Sequence, residues 1–208
     1  DSYVWQDTTT PNAANSMWKE NRAFDNGQLV LFGNLYRPEA WVSNSSAELL
    51  SSQTVMVSSD KWYSGNVVSA GEKGFEIDSL EDAAVGFQKV QIVGEVAPAA
   101  IVIGSNYTLD GEDAEDDTNY YFFGDGHIRE VDPNSELYAN FAGEKTNLRK
   151  MGTGTAVMAT DNSFIGGTIL ENGRLVMRHR KALGTGSIQM MHGAVLHGDF
   201  EDDRTASY

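Results

Sequence analysis

The sequence predicts an all-β fold, a parallel β-helix, on three observations: a period near 20 residues in its C-terminal half, very short β-type runs, and glycine or asparagine at nearly every break between them. "GTILENGRLVM" at Gly167 to Met177 is echoed by "GSIQMMHGAVLH" at Gly186 to His197, with one extra residue in the second copy. Ile169 and Ile188 stand 19 positions apart, as do Val176 and Val195, and the series extends backwards through Val157 to Leu137 and through Leu148 to Ile128. The runs between them, such as "TAVMA", "RLVMR" and "SIQMM", are too short for stable helices and rich in β-formers. The dipeptides "DN", "GG", "NG" and "HG" tolerate left-handed backbone and so mark corners. A coil of about 20 residues whose short strands lie about 4.8 Å above their equivalents accounts for all three.

Composition narrows the function. The 208 residues carry 15 Lys and Arg against 30 Asp and Glu, a net charge of −15, which opposes binding to nucleic-acid phosphates or anionic lipid. Cysteine is absent, so disulfides, thiolate metal sites and a cysteine nucleophile are excluded. No apolar run reaches the roughly 20 residues of a membrane-spanning helix. The chain opens at Asp1 without an initiator methionine, which reads as a mature or excised piece.

Three regions follow. Residues 1–34 hold Trp5, Trp18, Phe24 and Phe32 and read as an N-terminal aromatic cap with the first rungs, because a terminal rung has no neighbour to cover its apolar face. Residues 35–89 break the period and read as an insertion of loops with a short helix around "SSAELLSS". Residues 90–208 read as the rungs, beginning with the alternating runs Val90, Ile92, Val96 and Ile101, Ile103, then Tyr107 and Leu109. The periodicity places Leu137, Val157, Val176 and Val195 in one interior column and Ile128, Leu148, Ile169 and Ile188 in another. On that register Val176→Asp buries an unpaired carboxylate and unfolds the segment.

The stretch from Gly152 resembles the passenger-associated transport repeat of bacterial autotransporters. The residues that carry the likeness are Gly152 to Gly154, Asp161-Asn162 with Phe164, Gly166-Gly167-Thr168, Asn172-Gly173 with Leu175-Val176, and Ala182 to Ser187. "RHRK", Arg178 to Lys181, departs from the pattern, where the family has small or neutral residues. The resemblance implies a right-handed solenoid with an N-terminal cap and inserted loops, secreted and displayed at the bacterial cell surface, non-catalytic, without cofactor, and acting as a stalk or adhesin scaffold.

Candidate ligand-binding residues are Trp41, Trp62 and Tyr63 in the insertion, as a sugar-stacking platform, and Arg178, Arg180 and Lys181, as a polyanion contact through bidentate arginines. The partners expected are a host-surface or extracellular glycan or protein and a second copy meeting the exposed last rung, with no nucleic acid and no membrane contact. The acidic run Asp110 to Asp117 lacks the ligand spacing of a calcium loop and reads as a solvated loop. His127, His179, His192 and His197 show no metal-ligand spacing, and His192 and His197 flank a strand. A polysaccharide-degrading enzyme would need acids grouped from adjacent rungs. Asp161 instead has Lys181 one rung ahead and Asn140 or Phe141 one rung behind, and no acidic column emerges. The alternatives kept are a carbohydrate-binding module and such an enzyme.

Overall fold

The structure is a computed structural model that describes residues 3–5, 24–32, 54–58, 61–64, 67–69, 87–105, 119–134 and 145–200. Among them there is no helix. The strands are β1 (Tyr3–Trp5), β2 (Leu29–Phe32), β3 (Thr54–Ser58), β4 (Lys61–Ser64), β5 (Val67–Ser69), β6 (Phe87–Ile92), β7 (Glu95–Val96), β8 (Ala100–Gly104), β9 (Asn119–Phe123), β10 (His127–Ile128), β11 (Asn147–Met151), β12 (Thr155–Met158), β13 (Thr168–Leu170), β14 (Arg174–Met177), β15 (Ile188–Met190) and β16 (Val195–Gly198).

Twelve of them form two six-stranded sheets, one in the order β1-β6-β9-β12-β14-β16 and the other β15-β13-β11-β8-β2-β5. Every pairing in both sheets is parallel. The chain crosses from the first sheet to the second and back, so that β6 and β8, β9 and β11, β12 and β13, and β14 and β15 form successive layers. A short parallel pair, β7 with β10, lies between the sheets in chain order, and β3 with β4 is an antiparallel hairpin. The architecture is an all-β stack of parallel strands consistent with a β-solenoid.

Alternation within each strand decides what fills the interior. In the first sheet Tyr120, Ala156, Leu175 and Leu196 stand in register, and so do Val90, Phe122, Met158 and Met177. In the second, Val30, Ile101, Leu148, Thr168 and Ile188 form one column and Phe32, Ile103, Lys150, Leu170 and Met190 the next. At the β1 end, Trp5 packs edge-on against Phe24 and Phe32, and Phe32 against Phe122 at 4.8 Å. Each of these rings is fully buried, and burying a side chain of this size contributes about 1.5–3 kcal/mol. The tryptophan read as a cap therefore sits in the core at the first strand; Trp18 lies outside the described residues.

The expected columns need correction by one residue. Val157 and Val176 do pair, but they face outward, and Val195 pairs with Arg174 while Val176 pairs with His197. Leu148 is followed by Thr168 and then Ile188, whereas Ile169 pairs with Arg149 and Gln189 on the outer face. Ile128 belongs to β10, opposite Val96. Leu137 lies outside the described residues. Because the side-chain period is two, a shift of one residue moves a column to the other face. Thr168, not Ile169, occupies the interior, so aliphatic character alone picked the wrong neighbour.

Within 35–89, Phe87 to Lys89 open β6, and Val67–Ser69 adds to the second sheet beside β2. The helix expected at "SSAELLSS", Tyr107, Leu109 and the run Asp110 to Asp117 fall outside the described residues.

Buried polar groups bind the layers at the corners. Asn162 is fully buried: its Oδ1 accepts from the Ile128 amide at 2.9 Å and from the Thr160 hydroxyl at 3.0 Å, and its Nδ2 donates to the Ala182 carbonyl at 2.7 Å. One side chain thus joins three layers, which explains the asparagine of "DN". Glu130 does the same for two turns, accepting from the amides of Thr146 and Ile165 at 2.8 Å each. Gly173 adopts φ +69°, and a Cβ there would collide with the carbonyls of Gly152 and Gly154 in the layer before, so the "NG" corner admits no side chain.

Candidate binding corner

The turn after β14, Arg178 to Ser187, carries the basic run, and the geometry of the outer face decides what each cation does. Alternation turns Arg178 outward, toward the first sheet's outer surface. Its Nη1 donates to the Tyr121 hydroxyl at 3.0 Å, its guanidinium lies 6.0 Å from the Tyr121 ring centroid, and its Nε is 3.7 Å from Asp199 Oδ2. Arg178 is largely covered, so these contacts hold it against the sheet. Arg180 stands over the Phe200 ring at 5.4 Å. Lys181 Nζ lies 3.7 Å from Asp161 Oδ2, both groups more than half exposed, a pairing worth under about 1 kcal/mol in water. The Lys181 amide donates to His179 Nδ1 at 3.2 Å, which closes the turn.

The structure therefore gathers Arg178, Arg180 and Lys181 on one corner, with Arg180 and Lys181 exposed. Trp41 lies outside the described residues. Trp62 and Tyr63 fall in β4, in register with Met56 and Val55 of β3, and their side chains are not among the described ones. Lys181 lies one layer ahead of Asp161, where the Asn162 amide donates to Lys181 O, and behind it the Ser163 amide donates to Ile128 O of β10; Asn140 and Phe141 lie outside the described residues. His192 lies between β15 and β16 and His197 within β16, both exposed. Among the described residues no three His, Asp or Glu side chains form a metal-binding group.

Three features escaped sequence reading. Tyr121 is 57 positions from Arg178, and only the register two layers apart brings them together. Arg149, on the outer face of the second sheet, is ion-paired with Glu171. Lys150 occupies an interior position between Ile103 and Leu170 and is fully buried. Its Nζ donates to the carbonyls of Met151 at 2.8 Å, Gly152 at 2.9 Å and Asn172 at 3.4 Å, one acceptor for each ammonium proton. Burial nevertheless pushes its pKa down to about 8.

No protein-family model, curated protein or solved structure matches this chain.

Proposed function

We propose that this chain is a non-catalytic segment of a bacterial cell-surface passenger, a right-handed parallel β-helix that serves as a stalk and presents binding residues at its corners. The observation that carries the reading is the stacking itself. Two parallel sheets run through the described chain in matched order, and a stack that lengthens by repetition suits spacing and display. The passenger-like residues fit this register: Asn162 stitches layers, Phe164 and Leu183 are buried, and Gly173 and Gly184 take left-handed φ at corners. The exposed cations of the corner, Arg180 and Lys181, are the side chains through which an anionic surface glycan would be held, with the weak Asp161 pair giving way to a bidentate anion.

The test is a sulfated-glycan binding screen run alongside a reducing-end assay. Binding without turnover, lost in Arg180→Glu/Lys181→Glu, is the expected result. Turnover would overturn the stalk reading in favour of a polysaccharide-degrading enzyme. Binding that survives both charge reversals would transfer the ligand site to the aromatic candidates Trp41, Trp62 and Tyr63.

A further inference from the structure

The sequence holds two Asn-Gly pairs, Asn26-Gly27 and Asn172-Gly173, and the structure treats them differently. An asparagine amide is labile before glycine, because the glycine nitrogen meets no side chain on its way to the asparagine Cγ. Asn26 is held by a neighbouring turn: its Oδ1 accepts from the Ala97 amide at 2.6 Å, and the Gly27 amide donates to the Ala97 carbonyl at 2.8 Å, so both reacting groups are engaged elsewhere. Asn172 stands exposed at the corner between β13 and β14. There the Gly173 amide donates to Oδ1 of Asn172 itself at 2.7 Å, which folds the side chain back toward the nitrogen that would close a five-membered ring on Cγ. The backbone around this contact is fixed, the Arg174 amide donating to Gly154 O at 3.1 Å and the Gly173 carbonyl accepting from the Val195 amide at 2.9 Å. Reacting groups held together in this way need little further ordering to meet.

A third group touches the same peptide unit. From inside the stack, Lys150 Nζ donates to the Asn172 carbonyl at 3.4 Å. A cation on that oxygen draws electron density out of the Asn172–Gly173 peptide. The Gly173 N–H then gives up its proton more readily, and negative charge developing on the Asn172 carbonyl oxygen is stabilised. Nothing comparable is needed to explain the fold, since the other two carbonyls, of Met151 and Gly152, lie closer to the ammonium.

We propose that Asn172 is a self-modifying residue: the Gly173 nitrogen closes on its Cγ, ammonia leaves, and the resulting succinimide opens to isoaspartate beside Lys150. The Gly173 N–H gives its proton to solvent hydroxide as the N–Cγ bond forms. The Cγ–Nδ2 bond breaks, and the side-chain amide departs as ammonia with a proton from water. Water then adds to a ring carbonyl. Adding at the Asn172 main-chain carbonyl, whose oxygen Lys150 holds, it breaks the original peptide C–N bond, so that Gly173 stays attached through Cγ and the former carbonyl becomes a carboxylate. No oxidant or reductant takes part, and the chain stays continuous. The carboxylate arises where Lys150 Nζ had a neutral acceptor and gives the buried ammonium an anionic partner. The corner gains one negative charge by this route whatever Arg180 and Lys181 bind.

Incubation of the 208-residue chain at neutral pH, folded and in urea, followed by peptide mass mapping and isoaspartate-specific methylation, tests this. In the folded chain Asn172 should convert at least about tenfold faster than Asn26, and in urea, where neither is held, the two should convert at similar rates. The ratio of isoaspartate to aspartate at position 172 should be at least about twofold higher in the folded chain than in urea, where Lys150 no longer reaches the carbonyl. Lys150→Met should bring the folded ratio down to the urea value with an unchanged far-UV spectrum; should that variant not fold, the comparison of folded with unfolded parent chain decides the same point. Equal conversion of the two asparagines in the folded chain, an Asn172 that stays an amide while Asn26 converts, or one product ratio in the folded and unfolded parent would overturn the proposal.

Discussion

Ile101 and Ile188 occupy the same column of the same sheet, yet Ile101 is fully buried and Ile188 is 42% exposed. Ile103 and Met190 repeat the contrast in the next column, at 0% and 46%. The residues are equally apolar and the strands equally extended. What differs is that, among the described residues, β8 has a neighbour on each side and β15 on one side only. Gly173 and Gly193 say the same of the corners: both have positive φ, but a Cβ on Gly173 meets the preceding layer, whereas one on Gly193 meets nothing within 4 Å. Burial in this molecule is conferred by the adjacent layers, so stability is a sum over interfaces between layers rather than a property of a central core.

The sharpest way to break that account is inside against outside at one strand. Leu175 is fully buried and its neighbour Val176 half-buried on the outer face. Leu175→Asp should cost more than about 4 kcal/mol and abolish the cooperative unfolding transition, because the carboxylate has no partner among Ala156 and Leu196. Val176→Asp should cost under about 2 kcal/mol, reversing the expectation drawn from periodicity alone. Equal losses in urea denaturation would refute the register.

Next in size is the stitch between layers. Asn162→Ala orphans the Ile128 amide and the Ala182 carbonyl, both buried, at about 1–3 kcal/mol for each group. A loss of about 2–4 kcal/mol in denaturant midpoint analysis is expected. Asn162→Asp keeps the acceptor and loses only the donor, so it should fall between the variant and the parent.

The smallest effect is tied to pH. The Lys150 pKa is lowered to about 8 in the folded chain from 10.5. Between those values the unfolded chain holds the proton and the folded chain does not, so the cost of burying the cation is full below pH 8 and is relieved as pH rises toward 10.5. The gain is at most about 3 kcal/mol. Lys150→Met should flatten that rise relative to the parent chain, and a parallel rise in both would show that other groups produce it.

The comparison also explains what could be read from the sequence. The corners were legible because glycine and asparagine are required there by backbone conformation, a local property. The period was legible because layers repeat. The face was not, since Thr168 and Ile169 differ by one position, both suit strands, and only the pairing with Leu148 settles which is inside. Lys150 was illegible for a related reason: a lysine announces solvent, and the three carbonyls that hold it inside come from the main chain. Of the candidate site, the cluster Arg178, Arg180 and Lys181 is contiguous and visible, while Tyr121, the ring on which Arg178 rests, is supplied by a layer two below.

Amide hydrogen exchange on the dilute chain tests the central claim most directly. Protection should be greatest in β8, β11 and β12, lower in β14, whose outer neighbour β16 is itself an edge strand among the described residues, and least in β15 and β16. Protection in β15 and β16 equal to that in β11 under those conditions would contradict an account in which each layer is held by its neighbours.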